Sequence, residues 1–154
     1  MEILSLIEQF QFNFLDDSRW QFIVSGLKNT IIITFFAVLL GVFLGFLIAI
    51  VRSTHDKTGK LKILNVICRV YLTVIRGTPT MVQLLIVYYV IFATVDPGKV
   101  IVAIIAFGMN SAAYVAEIVR SGIMSINQGQ FEAGRSLGLN YTQTMTKIIL
   151  PQAV

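Results

Sequence analysis

Apolar residues fall along this chain in long uncharged runs of bilayer length. Asn29 to Val51 holds 23 residues without a charge, which as helix reaches ~35 Å against a hydrocarbon core of ~30 Å. Gly77 to Val95 supplies 19 more, and Val100 to Ala116 another 17, extended by Glu117, Ile118 and Val119 before Arg120. Ile63 to Ile75 is interrupted by Arg69 and too short to cross alone, so it reads as the lower part of a second segment running on to Val95. The pattern predicts three transmembrane helices, at about 23–51, 63–95 and 100–119. The second is predicted to bend at 76–79, where Gly77 weakens helix and Pro79 holds its predecessor away from helical angles. Such a break is tolerated at membrane depth only where protein or a water cavity satisfies the freed backbone.

The faces of these helices carry further information. Ala37, Gly41, Gly45 and Ala49 recur every four residues, a small-residue ridge that permits close packing inside a bundle. In the third run Asn110, Tyr114, Glu117 and Ser121 fall within ~60° of one another at 100° per residue. Gly108, Ala112 and Ala116 form a small-residue ridge roughly opposite. Lipid-facing polar groups are costly, so the polar stripe is expected to turn toward an aqueous path, with Asn110 and Tyr114 lining it. For Glu117 two readings stand open, the path itself or a pair with Arg120 at i+3 near the cytoplasmic headgroups. Gln83, the polar intruder of the second segment, either faces the path or bonds a neighbouring helix. Arg76 reads as a cationic anchor, a structural bond or a substrate contact.

Composition narrows the class. The 154 residues are 56% hydrophobic and 13% charged, about half the charge of a soluble domain at ~25%, and mean hydropathy is +0.79. This excludes a disordered chain, a nucleic-acid module and most soluble enzymes, and points to an all-α integral membrane protein. A single cysteine, Cys68, and a single histidine, His55, leave no disulfide framework and make a metal site or cofactor unexpected.

Charge sets the expected topology. Residues 1–21 carry one Lys or Arg, Arg52–Lys62 four, Asp96–Lys99 one and Ile118–Lys147 three. The positive-inside rule places the two richer loops in the cytoplasm, and residues 1–21 with the Asp96-Pro97-Gly98 turn outside. Residues 63–95 must then cross once. The external segment sets Glu2, Glu8, Asp16 and Asp17 against Arg19 alone, unlike the basic opening of a secretory signal. Phe10, Phe12, Phe14, Trp20 and Phe22 suit an interfacial entry.

The loop after Arg120, residues 120–150, holds the most specific pattern. Ala133 and Leu137 sit at i, i+4 and Phe131 and Gly134 at i, i+3, so a short helix is expected to present small and apolar side chains together. Gly138 suits a helix stop. Asn140 is a good N-cap, and Gln143 three residues on completes a capping box. Tyr141, Met145, Ile148 and Ile149 share an apolar face, and Pro151 is expected to mark a change of direction. Two short helices here would form a docking surface or lie along the membrane.

Glu132-Ala133-Gly134, three residues, Gly138, nine residues, Ile148, and then Leu150-Pro151 resembles the EAA loop of ABC-transporter permease subunits, with Gly134 where a second Ala is usual. Arg76-Gly77-Thr78-Pro79 with Gln83-Leu84, Ala113 through Arg120, Gly129-Gln130 and Leu150-Pro151-Gln152-Ala153 resemble the polar amino-acid subfamily of binding-protein-dependent permeases. The resemblance implies type I importer helices, with a transmembrane domain over 22–154. Five spans are expected in the family, so the chain reads as C-terminally incomplete at Val154.

The resemblance further implies a multi-pass protein of the prokaryotic plasma membrane that passes a polar amino acid. Its partners would be cytoplasmic ATPase subunits docking on Glu132, Ala133, Gly134 and Gly138, an external substrate-binding protein, and a second permease subunit, identical or not. No Gly-x-x-x-x-Gly-Lys-Ser/Thr loop is present, so the ATPase would be a separate chain. Two rivals stand beside this reading. An ion-channel subunit would use the Pro79 break as a pore element, and a membrane assembly factor would need no polar stripe.

Overall fold

The first uncharged run ends at Val51, but the helix it starts does not. In the computed structural model, which describes residues 5, 8–15 and 18–153, helix α1 runs Trp20–Thr58 without interruption. Its end waits for Gly59, which adopts φ +69° and returns its N–H to the carbonyl of His55 at 2.8 Å. The basic segment expected to form a loop from Arg52 is therefore helical as far as Thr58, and only residues 59–61 connect to α2, Lys62–Gly77. Glu2, Asp16 and Asp17 of the expected external segment, and Val154, lie outside the described residues.

Helix α2 stops at Thr78 and Pro79, both extended, and α3 covers Thr80–Ile91 with a wide π-type last turn at Val87–Ile91. The two axes turn through 112°. The interruption lies where Pro79 forces Thr78 out of helical angles, and the turn is sharper than a gentle kink. Helix α4, Lys99–Ser125, starts at Gly98 (φ +89°), where Asp96 Oδ1 accepts the Gly98 N–H at 3.0 Å. Among the described residues α1 and α4 are each long and apolar enough to cross a membrane, and α2 with α3 supplies a third crossing if the bent pair is one span. The described elements are helical throughout, as the composition and periodicity predict.

Helices α1 and α4 form the main seam. Ala37, Gly41, Gly45, Ala49 and Ser53 of α1 are buried, as are Gly108, Ala112 and Ala116 of α4. A Cβ on Gly41 would lie 2.5 Å from Ser111 Oγ, one on Gly45 2.7 Å from Val115 Cβ and 2.8 Å from the Ala112 carbonyl, and one on Gly108 2.6 Å from Leu40 Cδ2. The space of a methyl group is thus already taken by the opposite helix. This is how small residues let two apolar helices associate where lipid provides no hydrophobic drive.

Helix α2 packs on the same α4 through Leu72, Ile75, Ala113 and Ala116, and the Tyr71 hydroxyl donates to the Met109 carbonyl at 2.5 Å. Helix α3 packs through Val87 against Val102 and Ala106. So α4 is the shared wall for every other span.

Beyond Ser125 the chain forms a hairpin of two short helices. Asn127 caps α5, Gln128–Ser136, by accepting the Gly129 N–H at 2.7 Å. Asn140 caps α6, which runs through Tyr141–Thr144, Met145–Ile149 and Leu150–Ala153 in sequence. Its capping box is complete: Asn140 Oδ1 accepts the Gln143 N–H at 2.8 Å, and Gln143 Oε1 accepts the Asn140 N–H at 3.0 Å. The helix continues through Pro151, where a change of direction is expected, as far as Ala153. A π-type turn over Met145–Ile149 precedes the proline. It widens the helix just where the ring would otherwise meet the carbonyl one turn back.

Candidate functional site

The polar stripe of α4 meets α1, α2 and α3. Asn110 Nδ2 donates to Gln83 Oε1 at 3.1 Å and to Thr80 Oγ1 at 3.3 Å, both on α3. Gln83 is buried, and its Nε2 reaches back to the end of α2. It lies 2.6 Å from the Ile75 carbonyl, 2.9 Å from the Thr78 carbonyl and 2.8 Å from the Thr78 hydroxyl. In an unbroken helix the Ile75 carbonyl would accept from residue 79, four positions on, and residue 79 is a proline with no N–H. The Gln83 amide supplies the hydrogen that Pro79 lacks. The bond to a neighbouring helix that one of its two readings expects is formed, and among the described residues Gln83 meets the α4 stripe through Asn110.

Toward the other end of the stripe lies a charged cluster. Tyr114 is about half exposed, with the Arg76 guanidinium carbon 5.9 Å from its ring centre. Glu117 Oε1 accepts from Arg120 Nη2 at 2.7 Å, and Oε2 accepts from Arg52 Nη1 at 3.3 Å, with Arg76 Nη1 3.5 Å away. Arg120 Nη1 also donates to Asp56 Oδ2 at 3.1 Å. Three guanidinium groups from α1, α2 and α4 thus gather round two carboxylates. The i+3 pair expected of Glu117 and Arg120 forms, but it is one contact of a network that straps three helices together. Ser121, at the end of the stripe, is exposed.

The α5–α6 hairpin has an inner and an outer face. Inside, Phe131 packs with Ile123 of α4 and Ile149 of α6. Lys57, at the end of α1, lies 4.6 Å above the Phe131 ring and donates to Gln128 Oε1 at 2.9 Å. Burial raises the Tyr141 phenol above its ordinary pKa, against a smaller opposing pull from Thr54. Outside, Glu132, Ala133, Arg135, Ser136 and Leu137 are exposed, Leu137 at 77%. Gly138 ends the helix at φ +77°, a left-handed angle that a side chain would strain.

Gly134 and Phe131 do not join the outer residues, contrary to the expectation that one face would present all the small and apolar side chains. Gly134 is buried, and a Cβ there would lie 2.8 Å from Thr144 Oγ1 and Cγ2. Its smallness is required by the chain's own hairpin.

Arg52, Asp56, Thr80 and Lys57 belong to these arrangements and were not singled out from the sequence. A signal existed for two of them: Arg52 is the first charge after the long apolar run and Asp56 follows at i+4. Nothing local marks Lys57 as a partner of a ring 74 positions on. Among the described residues no three His, Cys, Asp or Glu side chains are placed to hold a metal ion.

Comparison with known proteins agrees with this architecture. The chain is 35% identical over 155 residues to the probable amino-acid ABC transporter permease protein YckA of Bacillus subtilis, covering 97% of this chain and 66% of that one. The L-cystine transport system permease protein TcyB of the same organism is 35% identical over 153 residues, covering 97% and 62%. The arginine transport system permease protein ArgU of Corynebacterium glutamicum is 36% identical over 156 residues, covering 92% and 47%. The chain therefore spans between about half and two-thirds of these relatives' lengths. A crystal structure of an amino acid ABC transporter with histidines superposes with TM-score 0.67 at 35% identity, covering 84% of this chain and 64% of that chain. Residues 41–154 match the family described as binding-protein-dependent transport system inner membrane component. That match takes in the close-packed ridge from Gly41 on, the α2–α3 break, the polar stripe and the α5–α6 hairpin, and the chain belongs to this family of membrane permeases.

Proposed function

We propose that the chain is a permease subunit of an ATP-driven importer that moves polar amino acids across the prokaryotic plasma membrane. The observation that carries this reading is the junction of the α2–α3 break with the α4 stripe. An interrupted helix, its backbone repaired by Gln83, lies against Asn110 of the polar stripe, and polar side chains within a span turn toward a path rather than toward lipid. Asn110 and Tyr114 line the path, and Glu117 organises the charged cluster that borders it. The names of the relatives, permeases for L-cystine and for arginine among them, support the substrate class.

In this reading the outer face of α5, with Glu132, Ala133 and Leu137, docks into a groove of a cytoplasmic ATPase subunit. Gly138 sets the angle of the following helix, and Gly134 holds the hairpin closed from within. The N-terminal segment and the Asp96–Lys99 turn face outside, where a substrate-binding protein delivers the amino acid, and a second permease subunit completes the path. ATP-driven closure of the ATPase pair must favour one of two permease states, because a partner that docks equally in both shifts nothing.

The test is uptake of 14C-labelled L-glutamine, L-cystine and L-arginine into proteoliposomes holding the assembled permease, ATPase and binding protein. Uptake of at least one that requires both ATP and the binding protein is the expected result. Conductance without nucleotide would instead identify a channel subunit, and a preparation that neither transports nor retains an ATPase would identify an assembly factor.

A further inference from the structure

We propose that Arg76 is a carboxylate-binding residue of the translocation path, releasing Glu117 to take the α-carboxylate of the passing amino acid; this rests on the permease reading above. The contacts round Glu117 are unequal. Glu117 has both oxygens occupied without Arg76, by Arg120 at 2.7 Å and by Arg52 at 3.3 Å. Arg76 reaches the same carboxylate only at 3.5 Å, the longest contact in the cluster, and its side chain is the most exposed of the three arginines at 43%, against 14% and 23%. Among the described contacts Arg76 makes that one ion pair and donates no hydrogen bond meeting ordinary geometry. A guanidinium carries five N–H donors in a planar fork. A fork left largely unspent beside the polar stripe is free to take an arriving acceptor.

The direction of the side chain favours the path over the lipid. Arg76 turns toward Glu117 and the Tyr114 ring on the polar stripe of α4. It is also the last side chain of α2 before the break, next to the Gln83–Asn110 bonds. The ligand that suits a planar two-pronged donor is a carboxylate, bound through two parallel N–H···O bonds. Every α-amino acid carries one, whatever its side chain, so this contact would hold the common part of the substrate. Departure of Arg76 leaves Glu117 still paired twice, and the exchange therefore strands no buried charge.

The experiment measures direct binding of 14C-labelled L-glutamine, L-cystine and L-arginine to the solubilised permease–ATPase complex in nanodiscs, with no binding protein present to select first. Each bound amino acid is then competed with its own α-carboxamide. Wild type should bind at least one of the three and prefer acid to amide by at least tenfold. Arg76→Gln should lower acid affinity at least tenfold and remove the preference, while Arg76→Lys, which keeps the charge and loses the fork, should fall between. A weakened Arg76→Gln that still prefers acid to amide would overturn the proposal, because a purely structural role lowers both ligands alike. Unchanged affinity would overturn it too. So would an Arg76→Gln defect that appears only in nanodiscs containing phosphatidylglycerol, the mark of a lipid anchor. A wild-type complex that imports an amino acid yet binds none without the binding protein would overturn this proposal and spare the permease reading. A complex that imports none of the three would end both.

Discussion

The seam between α1 and α4 and the break between α2 and α3 solve opposite problems. The seam holds two continuous helices whose backbone bonds are complete, so it needs only close approach, which Gly41, Gly45 and Gly108 provide by leaving no room for a Cβ. The break opens a helix and must find donors for stranded carbonyls. Gln83, eight residues past Ile75, provides them, and Asn110 on the neighbouring helix steadies it. A seam of this kind is a static wall. A break closed by side-chain hydrogen bonds can be rearranged by exchanging partners, so the two regions should respond differently to substitution.

The largest effect is expected at the seam. Gly45→Leu places a side chain where Val115 and the Ala112 backbone already stand, and overpacking typically costs ~1–3 kcal/mol, with a backbone neighbour pushing toward the upper end. Unfolding of the purified permease by a denaturing detergent, followed by circular dichroism, should shift accordingly. Stability equal to wild type would mean that the two helices do not meet as closely as described.

Next comes the hairpin's outer face. Ala133→Trp should weaken ATPase retention by about 5- to 150-fold, the equivalent of ~1–3 kcal/mol of overpacking in a docking groove, while leaving membrane insertion untouched. Pull-down from solubilised membranes measures it. Normal retention at wild-type permease levels would remove Ala133 from the contact.

Gln83→Leu should cost somewhat less, about 1–2 kcal/mol, because it strands the Ile75 and Thr78 carbonyls and frees Asn110, yet hydrogen bonds between membrane helices are individually modest. The informative comparison is the double variant with Pro79→Ala, which restores a backbone N–H at residue 79. Recovery of stability there would show that Gln83 substitutes for the missing donor, and purely additive losses would show that it does not.

The smallest change is expected at Asn140→Ala, about 1 kcal/mol for loss of an N-cap. It should be seen as faster amide hydrogen exchange confined to the first turn of α6. Exchange unchanged in that turn would deny the capping box any hold on it.

Residues that act through spacing along one helix were legible in the sequence. The Ala37-to-Ala49 ridge, the Gly108-Ala112-Ala116 ridge and the capping box at Asn140 and Gln143 are local patterns, and each shapes the element that carries it. What joins distant segments was not legible. Gln83 could be identified as a polar intruder, but not as the donor for Ile75, since that bond depends on how far the chain turns at Pro79. Gly134 read as part of a docking face because helical spacing gives relative positions on a helix and not which side is covered. The cover is Thr144, from the next helix. The apolar run at Val51 was likewise a poor guide to the end of α1, because hydropathy reports the solvent along a helix, and a stop signal such as Gly59 reports where it ends.

The central claim is that the α4 stripe of Asn110 and Tyr114 lines the route through the membrane, and accessibility tests it most directly. In the assembled transporter, with Cys68→Ser as background, single cysteines at positions 110, 112, 114 and 116 can be exposed to a water-soluble thiol reagent in the membrane. Labelling is expected at 110 and 114, slowed when the transported amino acid is present, with little at the close-packed positions 112 and 116. Labelling at 110 and 114 no faster than at 112 and 116, or unchanged by the amino acid, would place the stripe away from the route and contradict that claim.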